Sequence, residues 1–127
     1  MAERPTVVEL IEAVREFLER DLMGAVEGRL AFHTRVAVNA LGIVERELEL
    51  GATHRRAERD RLRDLLGDAP ADTAPNAATD EELDALRRRL ATAIRSGEFD
   101  GRAEEVLARL QETAAAALAI ANPKYLN

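Results

Sequence analysis

Residues 28–50, GRLAFHTRVAVNALGIVERELEL, followed by Gly51, carry the architecture of this chain. Leu30, Val36, Ala37, Ala40, Leu41, Ile43, Val44 and Leu48 recur at helical spacing. At 100° per residue they cover an arc of about 180°. A helix lying on a protein surface shows a narrower apolar stripe, so this segment predicts a long central helix touched from more than one side. Gly51 reads as its end. Leu41, on this central helix, is an expected core residue.

Four further helices frame this one. Thr6–Met23 opens with a T-x-x-E capping box, Thr6 and Glu9, and carries Val7, Leu10, Ile11, Val14, Phe17, Leu18 and Leu22 on one side. Gly24 is the expected stop. Residues 52–66 form a highly charged third helix anchored by Ala57, Leu62, Leu65 and Leu66. Its Arg55, Arg56, Arg59, Arg61 and Arg63 alternate with Glu58, Asp60 and Asp64, the pattern of a solvated, salt-bridged surface. Residues 68–78, with Pro70 and Pro75, read as a flexible loop. A second capping box, Thr79 and Glu82, begins a fourth helix with the stripe Leu83, Leu86, Leu90, Ala93 and Ile94. Asp100 is the expected cap of a fifth, residues 102–121, buried through Val106, Leu107, Leu110, Ala114, Ala117, Leu118 and Ala121. Phe99 in the intervening turn is expected to tuck into the bundle. No segment alternates as a strand does. The expectation is an all-α fold: one domain over residues 1–127, a bundle of about five helices.

Composition removes several function classes. The chain has 127 residues and no cysteine, which excludes thiolate metal sites, disulfides and cysteine nucleophiles. Its formal charge is −6 and aromatics are 3%, which argues against nucleic acid as a partner. No apolar run is long enough for a transmembrane helix and residues 1–6 hold no signal-peptide pattern, so a cytoplasmic location is expected. The seven glycines are scattered and build no phosphate loop. Glu9, Glu12, Glu16 and Glu19 lie opposite the apolar stripe of the first helix, and neither histidine follows a Glu-x-x-His pattern. No metal or cofactor is expected. The only serine, Ser96, lies at a helix end, so no nucleophilic triad is expected either.

A few residues remain as candidates. His33 sits near the middle of the apolar arc. Its structural reading is a core histidine with both nitrogens satisfied; its functional reading is a ligand contact beside Arg29, in a pocket for an acyl or phosphate-bearing molecule. Arg35 and Asn39, one turn apart on the polar border, can clamp a carboxylate, a phosphate or a partner's loop. The plainer alternative leaves Arg35 solvated and Asn39 bonded to a C-terminal turn.

Residues 28–41, the GLU-rich continuation 45–51, the opening Arg4-Pro5-Thr6 and the ending LAIANPKY, residues 118–125, together resemble a bacterial all-helical family that carries a domain-of-unknown-function label. The resemblance spans nearly the whole chain apart from residues 70–78. It implies a genomic neighbourhood of aminoglycoside-phosphotransferase-like kinases and acyl-CoA dehydrogenases, hence an accessory role beside such an enzyme, and it implies no catalytic residue. The functional expectation is a non-catalytic accessory or protein-interaction protein, contacting its partner through Arg35, Asn39, Lys124 and Tyr125. The alternatives are a ligand-binding bundle using His33 and Arg29, and a homodimer whose second copy covers the arc of the central helix.

Overall fold

The computed structural model describes residues 3–68 and 78–126. It contains four α-helices and, among the described residues, no strand: α1 (Val7–Glu16), α2 (Gly28–Leu66), α3 (Asp80–Arg95) and α4 (Ala103–Ala121). The chain divides into two compact units, Met1–Leu50 and Gly51–Asn127. The expected flexible loop falls largely on residues 69–77, which lie outside the described residues.

The helix count corrects the sequence reading. Gly51 does not stop a helix; α2 runs through it for 39 residues. The glycines that end helices do so in the left-handed region: Gly67 at φ 77° and Gly97 at φ 88°. Each sits in the same closing arrangement. Gly67 and Asp68 donate to the carbonyls of Asp64 and Arg63, and Gly97 and Glu98 donate to those of Ile94 and Ala93. Gly51 keeps ordinary helical backbone and is buried. It marks the boundary between the two units, within one unbroken helix.

In the first unit, Thr6 forms both bonds of its capping box: its hydroxyl accepts from the Glu9 amide at 3.1 Å, and its own amide donates to the Glu9 carboxylate at 2.9 Å. α1 continues as a π-helical turn, Phe17–Leu22, and a 3₁₀ turn, Met23–Ala25, so Gly24 does lie at the end of the helical run. Glu45 lies 17 residues into α2, about 26 Å from its start. Its carboxylate accepts from the Arg15 guanidinium of α1. That contact requires α2 to fold back along α1 as a helical hairpin. Glu45 holds the Arg15 guanidinium in its charged form, raising its pKa further.

The second unit holds the hydrophobic core. Leu62 and Leu65 of α2 meet Leu83, Leu86, Leu90 and Ala93 of α3, with Ala78, Phe99 and Val106 completing the cluster and Leu66 packed against it. Phe99 is buried as expected, and the Arg102 guanidinium lies 4.9 Å from its ring centre. Ile94 is exposed, unlike the rest of the α3 stripe. The expected buried face of α4 reduces to Val106, since Leu107, Leu110, Ala114, Ala117 and Ala121 are exposed. Asp100 begins a 3₁₀ turn, and the residue preceding α4 is Arg102, which makes no capping bond. The second capping box is half formed: Thr79 accepts from the Glu82 amide, while the Glu82 carboxylate turns to Arg63 at 2.7 Å.

The charged start of the expected third helix is also corrected. Arg59 is 1% exposed and Glu58 is buried, so this stretch is a seam between helices and not a solvated face. Arg87 of α3 grips Glu58 with two bonds, at 2.8 and 2.7 Å, and Arg59 approaches Glu82 at 3.8 Å. Arg109 of α4 reaches Asp64 at 2.8 Å, and Arg61 donates to Thr113 at 2.9 Å.

Candidate functional site

The unusual feature of the first unit is how little it buries. Only Thr34, Val38 and Glu45 are buried there among the described residues. Two of the three are polar, and both are satisfied: Thr34 donates to the Leu30 carbonyl at 2.7 Å, and Glu45 takes Arg15. At 100° per residue, these positions share one side of α2, the side turned to α1. Many of the other apolar residues stay largely in solvent. Leu30 is 57% exposed, Phe32 60%, Val36 48% and Leu48 48%; on α1 and its continuation, Val7, Leu10, Val14 and Phe17 are each more than half exposed. Leu41 is half-buried, so the expected core of the central helix is absent here and lies instead around Leu62 and Leu65.

His33 is exposed and not a core histidine; its ring meets the Phe32 ring edge-on, with centres 5.5 Å apart. The phase on the helix was legible, but α1 is too narrow to cover an arc of that width. Arg29 is also exposed, one turn before His33. Arg35 and Asn39 are exposed on the first half of α2. Helical phase sets them beside Phe32, Val36 and Ile43, so the five residues form one mixed patch of aromatic, aliphatic, guanidinium and amide groups. Lys124 and Tyr125 belong to the second unit, in the 3₁₀ turn Pro123–Leu126, where Tyr125 is exposed.

Two features of the second unit had no place among the candidates. One is an apolar groove of about 320 Å³ lined by Ile94, Phe99, Ala103, Val106, Leu107 and Leu110, with Asp100 at its edge. Its sequence signal was the α4 stripe, which reads as buried because its spacing is that of a packed helix. The other is His54, whose Nδ1 is buried without a hydrogen-bond partner among the described residues. Among the described residues, no group of three or more His, Asp or Glu side chains could hold a metal ion. No helix of the described residues is long and apolar enough to cross a membrane.

No curated protein and no solved structure matches this chain. Residues 24–125 match DUF6285, a domain of unknown function, and this span takes in all of α2, with its exposed patch, and residues 51–125 of the second unit. The chain belongs to the DUF6285 family.

Proposed function

We propose that the protein is a non-catalytic interaction protein that serves as an accessory partner of an enzyme, docking through the patch Phe32, Arg35, Val36, Asn39 and Ile43. The observation that carries this reading is the exposure of three large apolar side chains beside an arginine on a rigid helix. Aromatic residues and arginine dominate the energetics of protein interfaces, and a helix presents them without a loop's ordering cost. A kinase of the aminoglycoside-phosphotransferase-like class or an acyl-CoA dehydrogenase, the neighbours that the family resemblance implies, is the companion this reading puts forward, in the cytoplasm of a bacterium. Tagged full-length chain purified from its native host should bring down one such enzyme in near-equal amount. Arg35→Glu should reduce that recovery by about tenfold or more, as the loss of a central interface arginine does. Unchanged recovery with Arg35→Glu would remove the patch from the interface.

The groove of the second unit favours a second reading, an apolar ligand such as an acyl chain, whose size it suits. Arg29 and His33 do not line it. Acyl-CoAs that raise the melting temperature of the wild-type chain but not of Leu107→Asp would establish it.

A further inference from the structure

We infer that a second exposed stripe of α2 pairs with the same stripe of a second copy of this chain, the two helices running antiparallel about a two-fold axis between Ala37 and Ala40. This stripe is distinct from the docking patch. Leu30, His33, Ala37, Ala40, Val44 and Leu48 follow one another at steps of three and four residues, with Arg29 and Glu47 at its ends. At 100° per residue the six positions fall within about 80° of one another, and roughly a quarter-turn from the side facing α1. Leu30, Val44 and Leu48 are all exposed, as are His33 and Ala40.

The chemistry of the stripe reads alike from both ends. About a centre between Ala37 and Ala40, alanine falls opposite alanine, His33 opposite Val44, and the pair Arg29-Leu30 opposite the pair Glu47-Leu48. Antiparallel pairing therefore sets leucine against leucine and arginine against glutamate, twice, once on each side of the axis. Parallel pairing would set arginine against arginine and glutamate against glutamate. The two alanines let the helix axes approach where they cross. A surface complementary to itself closes as a two-fold dimer and goes no further.

α1 extends the same surface. Leu10, Val14 and Phe17 lie about 100–160° round α1 from Arg15, in the same sense of rotation as the α2 stripe lies from the side facing α1. Because α2 folds back along α1, rotations of the same sense on the two helices bring both stripes to one side of the hairpin. Two hairpins joined across these faces make a four-helix bundle, and its interior supplies the core that the first unit lacks.

The test uses the full-length chain. Light scattering should give twice the 14.0 kDa of one chain. Arg29→Glu and Glu47→Arg should each weaken the dimer by about tenfold or more, and the two together in one chain should restore it. The chain has no cysteine, so introduced thiols report without background. Ala40→Cys, near the axis, should cross-link to its counterpart with a short bis-maleimide; Leu30→Cys should not, because antiparallel pairing holds the two copies of residue 30 about 25 Å apart along the helix. A monomer by light scattering, cross-linking at both positions, or a double swap no better than the single ones would each overturn the proposal. Recovery of the companion enzyme in the Arg35→Glu experiment reads the other surface, so the two can fail separately.

Discussion

Glu58 and Arg87 illustrate how single residues hold the second unit together. Glu58 is buried, and its carboxylate is matched by the two bonds from Arg87, whose side chain is half in solvent. Removing a partner from a buried charge costs several kcal/mol in full burial; with Arg87 half-exposed the expectation is smaller. Arg87→Ala should therefore destabilise the chain by about 1–2 kcal/mol, read as a lower urea midpoint. Phe99→Ala should cost more, about 3 kcal/mol, since it empties a buried aromatic site between α3 and α4. Gly42→Ala should move stability the other way. Its backbone is helical, and the nearest atom an added Cβ would meet is at the guanidinium end of Arg46, 3.3 Å away, a long side chain that need yield only a few tenths of an ångström. The helix-propensity gain is about 0.5–1 kcal/mol, which a thermal melt would register as a higher midpoint.

At the scale of elements, the sequence revealed helix existence, phase and starts better than it revealed partners. Thr6 and Thr79 were legible because a cap is a local chemical pattern, complete within four residues. Gly51 was misread because a glycine in helical backbone and a glycine in the left-handed region look the same in sequence; only the closing bonds at Gly67 and Gly97 distinguish them. The alternating charges of 55–64 were read as solvated because their partners, Glu82, Arg87 and Arg109, lie 19 to 45 residues away. The patch around Arg35 and Asn39 is half legible: the polar pair is recognisable, while the spacing of the exposed Val36 and Ile43 beside it reads as core and gives Phe32 no role. The capping box of α1 should be worth about 1 kcal/mol to a hairpin with so little buried. Thr6→Ala should accordingly lower amide protection in α1 and leave α3 unaffected, as hydrogen exchange would report.

For the molecule as a whole, the arc of α2 announced that something covers it, and composition alone could not say what. Charge gives a further expectation. Asp68, gripped by Arg89, and Glu105, gripped by Arg102, both have pKa values below the ordinary carboxylate range. A carboxylate whose pKa is depressed by folding adds stability that is fully present above its unfolded pKa and fades as pH falls through its folded one. Stability should therefore be level near neutrality and decline in acid below the usual carboxylate range. Both pairs are exposed, so the decline they cause should shrink in high salt. Acid titrations followed by circular dichroism at low and high ionic strength would check both signs.

The unbroken run of α2 has a consequence for how the chain orders itself. Starting a helix is the costly step, and extending one is cheap. The half of α2 that packs in the core around Leu62 and Leu65 pays that cost once, and the half without a core inherits a template from it. Whatever grips residues 29–48 meets a segment already wound, and need not supply the cost of starting it.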